Sequence, residues 1–225
     1  MFGTASNPFP QRFFIFLTAW GMIGLAPFGP QPARAAQTQA AEIFVETESF
    51  DDLGGWKLDT QFIQQMGSPY LLAHGLGNPV QDASTTLAVE TAGIYRVLVR
   101  TFDWVARWKA TGAPGKFAIQ IGEKTLEETF GTAGESWAWH DGGTIQLAAG
   151  DTRLKLKDLT GFDGRCDCIY LTTDLQALPP PADGVLSDWR RKQLGLADDP
   201  IERGPYDLVV VGGGYAGMGS ALSAA

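Results

Sequence analysis

The 225 residues carry a formal charge of -8, with 17 Lys and Arg against 25 Asp and Glu and no run of basic residues. Phosphate contact needs a concentrated basic surface, so nucleic-acid binding is excluded as a function class. A hydrophobic share of 44% is that of a packed chain, long enough for one full domain and part of another.

The first 35 residues read as a secretory signal. Arg12 supplies a weak positive start, Phe13 to Leu25 is apolar, and Ala33-Arg34-Ala35 offers small residues for cleavage after Ala35. The apolar stretch is short against a hydrocarbon core of about 30 Å, so no stable membrane span is expected after cleavage. Arg12 and Arg34 leave with this segment, making the mature chain more acidic still, which suits a soluble protein exported to the periplasm or beyond.

Residues 36–178 form a succession of short β-type runs broken by Gly, Asp, Asn and Pro. Eight runs stand out: Ile43–Glu48, Tyr70–His74, Thr85–Glu90, Gly93–Arg100, Lys116–Ile121, Gly143–Leu147, Thr152–Lys157 and Cys168–Thr173. The expected fold is mainly β, a jelly-roll-like sandwich of two sheets. Within Ile94–Arg100, Tyr95, Val97 and Val99 point one way and Ile94, Arg96, Leu98 and Arg100 the other, so one face is core and the other mixed. Leu154 and Leu156 alternate with Arg153, Lys155 and Lys157 in the same manner.

Cys166 and Cys168 lie two apart in what reads as one strand, on one face and poorly placed to bridge each other. A zinc or iron–sulfur site normally takes four ligands, and neither His74 nor His140 has finger-like spacing, so buried thiols and no metal are expected. Asp163, Arg165 and Asp167 sit in a Gly-containing loop, where they suit a salt-bridged corner or a ligand contact. No Ser/His/Asp or paired-carboxylate spacing supports a hydrolase.

Pro179-Pro180-Pro181 fixes backbone angles and removes donors, so residues 179–205 read as a stiff interdomain linker. It holds a short helix over Leu186 to Leu196, with Trp189, Gln193 and Leu196 at helical spacing and Arg190, Arg191 and Lys192 as polar surface. Asp199-Pro200 ends it.

Residues 206–225 carry the one chemical motif. Tyr206–Val211 reads as a buried parallel strand running into Gly212-Gly213-Gly214-Tyr215-Ala216-Gly217, a G-x-G-x-x-G followed by an Ala-rich helix. Gly212 allows the tight turn, Gly214 lets backbone approach a pyrophosphate, and Gly217 permits close packing of helix on strand. Free N–H groups at the start of the helix, near Tyr215 and Ala216, suit an anion.

Asp207 to Gly217 resembles the opening of FAD-dependent oxidoreductases of the two-dinucleotide-binding-domain type. Upstream, Phe102-Asp103-Trp104, Gly161 to Asp167 and the Pro-rich spacer resemble the leader domain of secreted bacterial FAD-dependent oxidoreductases, a group often classed with the flavin subunit of heterodisulfide reductase. The resemblance implies FAD as cofactor and a Rossmann-type α/β domain beginning at residue 206. Some relatives carry iron–sulfur clusters, for which residues 1–225 supply no site. The acid that holds the adenosine ribose lies about 20 residues past the glycines in that fold, beyond Ala225. The sequence is therefore expected to be the N-terminal part of an exported oxidoreductase, inactive alone.

The alternative reading is a non-catalytic glycan-binding β-sandwich, resembling carbohydrate-binding modules, that holds an enzyme near polysaccharide. Trp104, Trp108, Trp137 and Trp139 lie near Arg100, Asp103, Arg107 and His140, a mixture suited to sugar rings and hydroxyls. The same tryptophans suit the core or a domain seam, which is the favoured reading because large aromatics are usually well buried. Trp137 and Trp139 share a face if Ser136–His140 is extended, which makes them the expected platform, whereas Trp104 and Trp108 share one only if their segment is helical or looped.

Overall fold

The computed structural model describes residues 40–181, 183–197, 199 and 202–224. The expected signal segment 1–35 lies outside the described residues. In chain order the elements are β1 (Glu42–Glu46), β2 (Lys57–Asp59), a single turn α1 (Ile63–Met66), β3 (Tyr70–His74), β4 (Ala83–Val89), β5 (Gly93–Thr101) and β6 (Phe117–Ile121). There follow β7 (Lys124–Thr125), β8 (Ala138–Leu147), β9 (Gly150–Asp158), β10 (Phe162–Cys166), β11 (Cys168–Thr172), α2 (Asp183–Gln193) and α3 (Tyr215–Ala224).

The chain is mainly β, a jelly-roll-like sandwich in which every paired strand is antiparallel. One sheet runs β1-β11-β5-β8; facing strands run β4-β9-β6-β7 and β10-β3-β2. Alternation sets the interior: Tyr95, Val97 and Val99 of β5 meet Leu154 and Leu156 of β9 and Ile119 of β6 in one core, as the sequence pattern requires. Each such side chain contributes about 1.5–3 kcal/mol on leaving water.

The opposite face of the first sheet is not wet. Leu98, Arg100 and Tyr170 alternate outward yet are buried. Two covers account for this. Met66, Tyr70, Phe102 and Trp137 form a second apolar cluster, with Phe62 and Trp104 packed against it. Beside it lies α2, whose Leu186 and Arg190 are buried at i and i+4 on one stripe. The Trp189 ring sits edge-on to Phe44, Trp139 and Tyr170 at 5.2, 5.8 and 5.1 Å.

The described part of the segment read as a linker packs on the sandwich. Trp139 donates its indole N–H to the Pro180 carbonyl at 2.9 Å, and Arg96 donates to the Leu175 and Ala177 carbonyls at 3.2 and 3.1 Å. Residues 175–193 are fastened to the sandwich, and the boundary expected at residue 178 falls inside this attachment. Arg190, read as polar surface, is interior, while Leu196, read as part of the apolar stripe, is 55% exposed.

Other differences are local. Phe162–Cys166, read as a loop, is β10, with a register shift between Phe162 and Gly164 that breaks alternation. The cysteines consequently lie on two strands: Cys166 joins the main core, Cys168 lies beside Asp167, and both thiols are free. Tyr206–Val211 forms no strand. No described strand pairs with it, and a parallel strand exists only through its ladder, so Val209 and Val211 stand exposed. The helix after the glycines does form, as α3.

Candidate functional site

Four non-glycine residues have positive φ among the described residues: Leu76 at 53°, Lys109 at 55°, Ala113 at 40° and Asp163 at 59°. Leu76, Lys109 and Ala113 lie in loops and Asp163 at the bulge that opens β10, in segments that meet beyond the ends of β3, β5 and β9. Left-handed backbone costs an L-residue about 1 kcal/mol or more, and such strain gathers where a surface has work to do.

Asp158 and Gly161 fasten two of these loops. The Asp158 carboxylate accepts from the amides of Val80, Thr160 and Gly161 at 2.8, 3.1 and 3.0 Å. The Gly161 carbonyl accepts from Gly75 and Gly77 at 3.0 and 3.2 Å. Gly161 has φ +69°, and a Cβ there would lie 2.2 Å from the Asn78 carbonyl oxygen, so the junction requires glycine. His74 and Asp163 close it with a 2.6 Å contact between Nδ1 and Oδ1.

The third loop leaves β5 through Phe102-Asp103-Trp104. Asp103 is buried; its amide donates to the Ala133 carbonyl at 3.0 Å and its carboxylate accepts from the Val105 amide at 3.2 Å. This pins a 3-10 turn over Ala106–Trp108. Trp104 donates its indole N–H to the Phe162 carbonyl at 3.0 Å, joining this loop to the others. Trp108 meets Trp104 edge-on at 6.0 Å, Arg107 lies over the Trp108 ring at 4.2 Å, and Arg165 lies 5.2 Å from the Trp104 ring.

The surface so formed is aromatic and held open. Trp108 is 59% exposed, Phe162 50% and Leu76 78%, beside the polar pair His74–Asp163 and the Arg107 guanidinium. Apolar ring faces flanked by donors and acceptors can take a ligand with both apolar C–H faces and hydroxyls. Of the four tryptophans expected to matter, Trp104 and Trp108 are therefore brought together at the surface. Trp137 is 8% exposed and packs against Phe62, Tyr70 and Phe102, and Trp139 is held by Pro180 and Trp189. These two tryptophans pack as the core or seam reading of the sequence has them.

The acidic corner is salt-bridged, but to partners other than Arg165. Arg165 donates to the Asp163 backbone carbonyl at 2.7 Å, Asp163 turns its carboxylate to His74, and Asp167 is buried against Arg100 at 2.7 Å and Arg190 at 3.1 Å. Glu46, Asp167 and Cys168 converge closely enough to ligate a cation, but the two guanidinium groups already occupy the carboxylates, and burial pushes the Cys168 thiol well up, away from the thiolate a metal needs. Sequence reasoning missed this cluster, because Arg100 shares its strand face with Arg96 and looks equally solvent-directed.

At the glycine motif, Gly212 has φ +102° and a Cβ on Gly217 would lie 2.0 Å from the Gly212 carbonyl oxygen. Gly213 and Gly214 face open space. Gly217 closes against the Gly212 carbonyl of the turn rather than against a strand, and Tyr215 and Ala216 begin α3.

No protein-family model and no curated protein matches the chain. Among solved structures, a Podospora anserina β-(1,4)-mannanase with a family 35 carbohydrate-binding module is similar at 19% identity and TM-score 0.47, over 61% of this chain and 29% of the mannanase. A family 35 carbohydrate-binding module from Clostridium thermocellum is similar at 14% identity and TM-score 0.45, over 58% of this chain and 97% of the module. The C-terminal family 6 module of a Zobellia galactanivorans laminarinase is similar at 14% identity and TM-score 0.44, over 59% of this chain and 100% of that module.

Proposed function

We propose that the sandwich is a non-catalytic glycan-binding module whose contact surface is Trp108 with Trp104, Phe162, Arg107 and the His74–Asp163 pair. The observation that carries this reading is the exposed Trp108 ring, held out on a pinned turn and flanked by strained loops. Monomeric surfaces rarely display large aromatics together without a partner. A pyranose ring lays its C–H face on an indole while its hydroxyls reach neighbouring polar groups.

Retention of the chain on insoluble polysaccharides and on a glycan array tests it. Trp108→Ala is expected to weaken binding at least about tenfold, the loss of one buried aromatic contact, while leaving the urea midpoint unchanged. No retention of the natural chain on any polysaccharide retires the reading.

A second reading, that this module belongs to an exported FAD-dependent oxidoreductase, is favoured by the Gly212–Gly217 turn. The residues present fit a diphosphate: Gly213 and Gly214 offer backbone with nothing where a Cβ would stand, at the start of α3. FAD would supply the redox chemistry, and Gly212, Gly213, Gly214, Tyr215, Ala216 and Gly217 would hold its diphosphate. Visible flavin absorbance in the protein purified as expressed from its own gene is the expected result. A colourless product despite flavin supply counts against it. Within the described residues no helix is long and apolar enough to cross a membrane, and the export proposed here is tested by signal cleavage after Ala35, read from the N-terminus of secreted material.

A further inference from the structure

At the edge of α2 lies an open pocket of about 290 Å³ whose walls include Glu46, Glu48, Met66, Ser68, Arg190 and Leu194. Three carboxylates converge on this seam. Glu46 comes from β1, Glu48 from the 3-10 turn Thr47–Ser49, and Asp167 from the junction of β10 and β11. Two guanidinium groups answer them. Arg190 of α2 donates to Glu46 at 3.0 Å, to Asp167 at 3.1 Å and to the Met66 carbonyl at 3.0 Å, and Arg100 of β5 donates to Asp167 at 2.7 Å. Arg191, also on the wall, donates to the Ala197 carbonyl, and the Cys166 thiol lies on the core side.

Glu46 and Asp167 are thereby matched, and Glu48 is left over. Its Oε2 is buried without a hydrogen-bond partner. An ionised carboxylate there is partly withdrawn from water and faces two like charges, which outweigh the hydrogen bond from its own backbone amide and the pull of Arg190, and one added proton relieves both penalties.

We propose that Glu48 is the proton-sensitive pin of a latch in which α2 seats on the sandwich when Glu48 is neutral and lifts when it is charged. Lifting uncovers Phe44, Trp139 and Tyr170 and frees the chain that follows α2. Burial first, then neighbouring Glu46, pushes the Glu48 carboxyl up from its ordinary 4.5 to about 8, and burial raises Glu46 in the same direction. On release Glu48 returns to water and to its ordinary value. Between those two values the seated state keeps a proton that the released state lacks. Seating is therefore strongest below about pH 4.5 and weakens as the pH climbs to about 8, by up to about tenfold per unit.

Hydrogen exchange on the whole chain at pH 5.5, 7.0 and 8.5, corrected for intrinsic rates, tests the latch. The opening equilibrium of α2 amides is expected to grow at least about tenfold from the lowest to the highest pH while β5 and β11 amides keep theirs. Glu48→Gln, neutral and nearly isosteric, is expected to hold α2 closed throughout. Protection of α2 that does not change with pH overturns the proposal, as does a pH dependence that survives in Glu48→Gln. Loss of protection spread equally over the sandwich overturns it too, without reference to the variant.

Discussion

Trp108 and Trp137 have the same side chain and opposite surroundings, and the difference is made by chain far from either. Trp137 follows a loop into β8 and lands under Phe62, Tyr70 and Phe102, whereas Trp108 ends a turn at the surface, with Arg107 over its ring and more than half of it exposed. The Trp137 indole N–H is buried without a partner, so removing the ring loses packing and no hydrogen bond. Trp137→Ala is expected to destabilise the chain by about 3–5 kcal/mol, the range for emptying an aromatic core position, measured as a lowered urea midpoint. Stability unchanged with polysaccharide retention lost would return Trp137 to the contact surface. The sequence made the shared face of Trp137 and Trp139 legible, because spacing of two on a strand dictates it. It did not reveal that this face is covered, because the cover comes from Phe62 and Tyr70, some 70 residues earlier, and from Trp189, 50 later.

Among elements, the legible ones are those whose alternation is undisturbed. In β9 apolar and charged residues alternate, and in β5 one face is apolar from Tyr95 to Val99, so both were readable from their side chains alone. β10 was not, since Gly164 and the bulge at Asp163 erase the period that announces a strand. The helix α2 was legible as a helix but its inner stripe was misread. Leu186 and Trp189 mark that stripe, and Arg190 beside them looks solvent-directed until Glu46 and Asp167, 144 and 23 residues away, are known to meet it. A buried arginine is recognisable only through its partners. Tyr206–Val211 has the opposite history: its valines spell a parallel strand, but strand character is a property of pairs, and no described neighbour completes one.

At the scale of the whole molecule, the sandwich is stabilised by two interiors of different chemistry, one apolar between the sheets and one mixed beneath α2. The second makes the tail after Pro181 part of the folding unit. Without it Glu46 and Asp167 lose Arg190, and Tyr170 loses the Trp189 ring packed on it. Breaking a buried ion pair by removing one partner costs about 3–5 kcal/mol, against a total stability of roughly 5–15 kcal/mol for a domain. A chain of residues 36–197 is accordingly expected to unfold in urea as one cooperative transition. A chain of residues 36–178, ended where the sequence alone sets the boundary, is expected to unfold at a much lower midpoint or to aggregate, with raised binding of an apolar dye at neutral pH. Equal midpoints for the two chains would mean that α2 rests on the sandwich without supporting it, and the mixed interior would then be an ornament of the fold rather than a condition of it.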